Sequence, residues 1–180
     1  MDISIEERKF SFRSEYDIST PDSSYYAQKA FFSLGAKLQL QAEGGRVLAI
    51  IRGRFPFFTR YDFEFSNGSF YKYRCEKFWK GVFVCEGQGE SYRLYQHKGR
   101  RWSIFQNDRQ IAAFTKNRVT IGKGNEYDIR MNANADVLIV ICLTLTLNTS
   151  ENDDDNATVT IDFGNIGPED RPFDESWEPT

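Results

Sequence analysis

The sequence predicts a mainly β fold: a closed antiparallel barrel of about twelve strands around a central, buried C-terminal apolar helix. Three observations carry this. Aromatic residues make up 16% of the chain, with 16 Phe and 9 Tyr, which suits the pleated faces of a sheet. Period-two alternation recurs in short runs separated by turn residues. One run, Val137-Leu138-Ile139-Val140-Ile141-Cys142-Leu143, continues through Leu145 and Leu147 without a polar face and must be wrapped on all sides.

The strands follow in order. Phe10 and Phe12 alternate with Lys9, Ser11 and Arg13; Leu38 and Leu40 with Lys37, Gln39 and Gln41; Tyr61, Phe63 and Phe65 with Asp62 and Glu64. Tyr71, Tyr73 and Cys75 alternate with Lys72, Arg74 and Glu76, and Tyr127, Ile129 and Met131 with Asp128 and Arg130. One side of each run can face a core and the other water. Glu43-Gly44-Gly45, Ser66-Asn67-Gly68, Gly87-Gln88-Gly89, Lys98-Gly99, Asn107-Asp108 and Gly122-Lys123-Gly124-Asn125 supply the breaks. The expected strands lie near 10–18, 25–32, 36–42, 46–53, 59–65, 69–76, 82–86, 91–97, 101–106, 109–116, 118–121 and 126–131.

The apolar run could be strand or helix. Its β-branched residues and the Leu143-Thr144-Leu145-Thr146-Leu147 alternation favour a strand. Length decides otherwise: residues 136–148 span about 20 Å as a helix but roughly 40 Å as a strand. Asn134 can cap such a helix, with Asp136 in its first turn, where the dipole favours negative charge. The run falls short of the roughly 20 apolar residues that cross a bilayer. Barrel closure removes strand edges. A barrel of about a dozen strands is too wide for wall side chains alone to fill, so a central helix would plug it.

Two stretches resemble each other. Gly45-Arg46-Val47-Leu48-Ala49-Ile50-Ile51-Arg52 leads to Tyr61-Asp62-Phe63, and Asp108-Arg109-Gln110-Ile111-Ala112-Ala113-Phe114 leads to Tyr127-Asp128-Ile129. The spacing suggests a duplicated antiparallel unit; the alternative is two similar hairpins of common β composition.

Length allows one well-buried core. Charge divides the chain: residues 1–150 carry 22 Lys+Arg against 16 Asp+Glu, a net of +6, and residues 151–180 carry 1 against 10, a net of −9. The expected organisation is a barrel domain over 1–150 and an acidic tail over 151–180, which can add an edge strand near 157–163. Three cysteines without tight spacing suggest neither a disulfide framework nor a zinc site. The start Met1-Asp2-Ile3-Ser4-Ile5-Glu6-Glu7 lacks a signal-peptide pattern, so the Asn-x-Ser/Thr matches at Asn67, Asn148 and Asn156 read as coincidence. A cytoplasmic protein with reduced thiols is expected, with peripheral membrane association as an option.

Tyr26-Ala27-Gln28-Lys29-Ala30-Phe31-Phe32-Ser33-Leu34-Gly35-Ala36-Lys37-Leu38-Gln39-Leu40, Gly45, Ala49-Ile50-Ile51-Arg52, Tyr61, Ile111-Ala112, Tyr127-Asp128-Ile129 and Asp136 before the apolar run form a diffuse pattern over about residues 10–148. It resembles the Tubby C-terminal-like superfamily, and within it the LURP-one-related proteins and their phospholipid-scramblase relatives. The resemblance implies a twelve-stranded barrel around a central apolar helix and a wall whose basic side chains bind phosphoinositide headgroups. The chain departs from the pattern at Gln28-Lys29-Ala30, at Asn148 where an acidic residue is usual, and in the tail.

Catalytic signals are sparse. The single histidine, His97, ends a strand and reads as a surface turn residue; no nucleophile elbow or Cys-His signature accompanies it. The short glycine pairs read as turns. Asn152-Asp153-Asp154-Asp155-Asn156 fails the helix–loop–helix calcium pattern, with Ala157 where glycine is needed and Phe163 where the closing glutamate belongs, and reads as a solvated linker. No enzyme activity, metal or cofactor is expected.

Basic residues are the better candidates. Arg52, Arg54 and Arg60 flank Phe55-Pro56-Phe57-Phe58, and Lys72 and Arg74 share a face of the next hairpin. Lys77 and Lys80 follow beside Phe78 and Trp79, and Lys98, Arg100 and Arg101 form a smaller cluster. Guanidinium and ammonium groups suit phosphate oxygens, and neighbouring aromatics suit a membrane interface. The expectation is a non-enzymatic module binding anionic phospholipid headgroups through Arg52, Arg54, Arg60, Lys72 and Arg74. The alternative is a protein-interaction or regulatory scaffold using the acidic tail. Lipid scrambling would need a membrane-crossing helix, and a sequence pI near 5.3 argues against nucleic acid.

Overall fold

The computed structural model describes residues 1–10, 13–29, 37–54, 57–118, 124–152 and 169–180. Among these lie twelve strands, a single-turn 3-10 helix and one α-helix. The strands are β1 (Asp2–Phe10), β2 (Arg13–Ser19), β3 (Ser24–Lys29), β4 (Lys37–Ala42), β5 (Val47–Arg54) and β6 (Phe57–Phe65). They continue with β7 (Phe70–Lys77), β8 (Val82–Gly87), β9 (Glu90–His97), β10 (Arg101–Gln106), β11 (Arg109–Arg118) and β12 (Asn125–Met131). Phe78–Lys80 form the 3-10 turn, and α1 spans Val137–Asn152. Each strand pairs antiparallel with the next, and β1 closes on β12.

The predicted barrel is therefore present, with corrections to its parts. The expected strand at 10–18 is β2, and it is preceded by β1, which the pattern of polar residues had hidden. The break expected between 116 and 118 is absent, because Asn117 and Arg118 continue the ladder opposite Glu126 and Asn125, and the rest of the strand expected at 118–121 lies outside the described residues. Residues 11 and 12, 119–123 and the suggested edge strand at 157–163 lie outside the described residues.

The repeated stretches pair identically. Ala49, Ile51 and Gly53 of β5 face Phe65, Phe63 and Tyr61 of β6. Ala112, Phe114 and Lys116 of β11 face Met131, Ile129 and Tyr127 of β12. Corresponding residues thus occupy the same register, six strands apart in the barrel, as the duplicated-unit reading requires.

The helix is sheathed. Positions 139–143, 145 and 147 are apolar, each at most 3% exposed, and join one core cluster with inward side chains from all twelve strands. Thr144 and Thr146 are equally buried, and their hydroxyls donate to the Val140 and Cys142 carbonyls at 3.0 and 2.7 Å. Polar atoms thus enter the interior already satisfied. Asp136, not Asn134, is the cap: its Oδ1 accepts the Leu138 and Ile139 amides at 2.9 and 3.2 Å. Rings line much of the inner wall, running from Tyr61 through Tyr73, Phe83, Trp102 and Phe114 to Tyr127 with centroids 5.6–6.2 Å apart.

Alternating connections define two mouths. The β2–β3, β4–β5, β6–β7, β8–β9 and β10–β11 turns share one mouth, where β12 also ends and α1 enters. The β7–β8 and β9–β10 connections lie at the opposite mouth. Outside the barrel, residues 169–180 run along the wall from the β9–β10 turn to the end of β12. Glu169 meets Lys98 at one end, and the Thr180 carbonyl accepts the Ala133 amide at the other.

Candidate functional site

The five basic candidates all project outward, because period-two alternation places their neighbours Ile51, Tyr61, Tyr71 and Tyr73 in the core. The ladder sets Arg52 opposite Asp62, Asp62 opposite Lys72, and Lys72 opposite Glu86. One step towards the far mouth, Arg60 sits directly opposite Arg74. Arg54, Arg60, Lys72 and Arg74 line a single depression of about 240 Å³ together with Tyr61, Asp62 and Tyr73. Arg52 stands outside it.

Carboxylates temper this surface. Arg54 Nε binds Asp62 Oδ2 at 2.6 Å, Arg52 Nε binds Glu64 at 3.2 Å, and Arg74 Nη2 reaches Glu86 at 3.5 Å. The depression still holds four cations against one carboxylate among its lining residues. Like charges directly across a ladder repel, and Arg60 and Arg74 stand in that relation. At the same mouth the 3-10 turn presents Phe78 and Trp79, 45% and 69% exposed. Lys77 beside it is paired with Asp170 of the tail at 3.0 Å.

The smaller cluster is different. Arg101 pairs with Glu175, and the Lys98 amide donates to Glu169 at 2.8 Å. The tail thus takes the Arg101 side chain and the Lys98 backbone amide, while Lys98 itself stays exposed. His97 is no surface turn residue. It is fully buried, with Nε2 2.7 Å from Ser103 Oγ and Nδ1 3.4 Å from Glu169 Oε2. Burial lowers its pKa against the opposing pull of Glu169. Burial alone would raise Glu169, but hydrogen bonds from the Lys98 amide and His97 reverse this and hold it low. A neutral imidazole protonated at Nδ1 satisfies both partners: it donates to Glu169 and accepts from Ser103.

Serine, histidine and glutamate in this order are the parts of a nucleophile relay. Two features argue against that use. Ser103 is 2% exposed, and it lies within the sheet, paired with Tyr95 on one side and Ala113 on the other. The trio instead ties the tail to the wall. A sequence signal for this existed. The runs Trp102-Ser103-Ile104-Phe105 and Ile111-Ala112-Ala113-Phe114 carry no charged residue and a single polar one, Ser103, which marks strands covered on both sides.

Among the described residues no group of His, Cys, Asp and Glu could hold a metal ion, and no helix is long and apolar enough to cross a membrane. Most of the acidic Asn152–Asn156 run lies outside them. Fold and surface together define a closed, helix-plugged β-barrel with a cationic depression on one wall and its own acidic tail on another. No family model matches the chain, and neither does any curated protein.

Proposed function

We propose that the chain is a non-enzymatic module that binds anionic phospholipid headgroups, phosphoinositides in particular, at a membrane surface. The observation that carries this reading is the convergence of Arg54, Arg60, Lys72 and Arg74 on one depression. A phosphate seated between Arg60 and Arg74 would relieve their repulsion and accept charge-assisted hydrogen bonds. Phe78 and Trp79, exposed at the same mouth, supply rings of the kind that settle among headgroups. The barrel around an apolar helix is the architecture that the Tubby-like resemblance implies, and it supports placing the chain among those proteins. On this reading the protein is cytoplasmic and visits membranes peripherally.

Sedimentation with phosphatidylcholine vesicles, with and without phosphoinositide, tests it. Binding should need the phosphoinositide and weaken as salt rises. Each unit charge near an anionic surface is worth about 1 kcal/mol, so Arg60→Glu with Lys72→Glu, a change of four charges, should weaken binding by on the order of a thousandfold. Equal capture by neutral vesicles, or binding indifferent to the double reversal, would refute the reading.

The alternative is a regulatory or protein-interaction scaffold using the acidic tail, and the docked tail favours it. The acids of 169–180 pair with Lys77, Arg101 and Arg130, none of which lines the depression. In this form the tail acts as a docking segment of its own rather than as a cover over Arg60 and Arg74.

A further inference from the structure

The outer wall under the tail is built like an interior. Val82, Tyr95, Phe105 and Ala113 project away from the barrel core, yet they are only 1–8% exposed, and His97 and Ser103 beside them are fully or nearly buried. The tail lies across Tyr95, Phe105 and His97 of this face, and its residues 169–180 include none that is buried and no regular secondary structure beyond a turn. Removing it would uncover a contiguous apolar patch, the usual mark of a binding surface.

The fit is chemically specific. The Arg171 guanidinium lies 4.1 Å from the centre of the Phe105 ring and 5.4 Å from that of Tyr95. Phe173 meets His97 edge-on with centroids 5.1 Å apart, and the Arg101 guanidinium lies 4.3 Å from the Phe173 ring. Around this Arg-Pro-Phe core, Asp170, Glu175 and Glu178 answer Lys77, Arg101 and Arg130. Glu175 and Glu178 have side chains 73% and 76% exposed, and pairs of that kind hold weakly. The cis fit is also incomplete: Nη1 of Arg171 is buried without a hydrogen-bond partner.

We propose that the outer face of β8–β11 is a peptide-binding surface, that residues 169–180 are its detachable intramolecular ligand, and that it accepts an acidic peptide with an arginine–proline–aromatic core from another molecule. The proposal does not depend on lipid binding. The occupant is a peptide rather than a lipid because the wall supplies ring faces for a guanidinium and buried polar groups for a glutamate beside it. Phosphate chemistry would use neither.

The test uses the 180-residue chain and a fluorescent peptide of residues 169–180, read by anisotropy. In an Arg171→Ala, Phe173→Ala chain the tail competes poorly. That variant should bind the peptide on the order of tenfold tighter than the unaltered chain, whose site is mostly filled. A peptide carrying Arg171→Ala should bind the same variant on the order of tenfold more weakly. Arg60→Glu with Lys72→Glu should change neither result, which separates this surface from the headgroup depression. Equal binding by variant and unaltered chains, no binding by a folded variant, or displacement of the peptide by phosphoinositide vesicles would each overturn the proposal. Should the alanine variant fail to fold, Glu175→Lys with Glu178→Lys loosens the tail through exposed positions alone and must give the same order of affinities.

Discussion

Alanine substitutions along α1 offer the sharpest test of the sheathed helix. Successive residues turn about 100° around the axis, so Ile139, Ile141, Leu143, Leu145 and Leu147 sample opposite sides of it. All five are 0–3% exposed. Truncating a buried Leu or Ile to Ala costs about 2–5 kcal/mol, depending on the cavity left behind. A central value near 3 kcal/mol applies on every side, because no side faces water. With an unfolding entropy of about 2.1 cal/mol/K per residue, this 180-residue chain should lose roughly 8 °C in melting temperature for each substitution. Leu138, half-buried near the mouth, should cost about 1 kcal/mol. Urea unfolding followed by circular dichroism measures each value. A helix lying on a sheet would give costs that rise and fall with a period near 3.6, with one side within about 0.5 kcal/mol of neutral. That oscillation would refute the enclosed helix and the core derived from it.

Three further outcomes are expected. His97 is the only histidine, and burial lowers its pKa; the unfolded chain takes up its proton near pH 6.5 while the folded chain resists. Its stabilisation is present above that pH and is lost as pH falls below it, so the urea midpoint should drop between pH 7.5 and 5.5. His97→Gln should flatten that drop, and an unchanged slope would show that other groups cause it. Burial raises all three thiol pKa values, and Cys85 and Cys142 are fully enclosed. Ellman's reagent should therefore find Cys75 first in the folded chain and all three thiols only in denaturant; simultaneous reaction would contradict the burial. Asp136→Ala should cost about 1 kcal/mol by removing the cap, while Asn134→Ala should stay within about 0.5 kcal/mol. The reverse order in chemical denaturation would move the cap back to Asn134.

What could be read from the sequence was what depends on neighbours along the chain. Alternation in Tyr61–Phe65 and Tyr71–Cys75 announced both the strands and the outward basic residues. The unbroken apolar run announced the helix. What stayed hidden depends on partners far away. β1 was disguised because Glu7 takes an inward position where an apolar residue was expected. It is only 4% exposed, and its Oε2 accepts the Asn125 amide and side-chain nitrogen at 3.0 and 2.9 Å. Local pattern cannot show that a carboxylate is satisfied by a residue 118 positions away. The ion pairs that restrain Arg52, Arg54 and Arg74 were hidden for the same reason, since they follow from cross-strand register. His97 looked like a turn residue because its tail partners, Glu169 and Phe173, lie 72 or more positions further along the chain.

Closure of the wall by β1 against β12 constrains how the molecule is made. Ile3 must find Ile129, so the first strand to leave the ribosome waits for the twelfth. The rod that fills the lumen follows that twelfth strand in the chain. Until both emerge, the nascent polypeptide carries two unpaired strand edges and an unfilled apolar trough. Assembly must then be concerted and slow, as for other topologies dominated by distant contacts. Those open edges are where a growing chain is exposed to pairing with other chains.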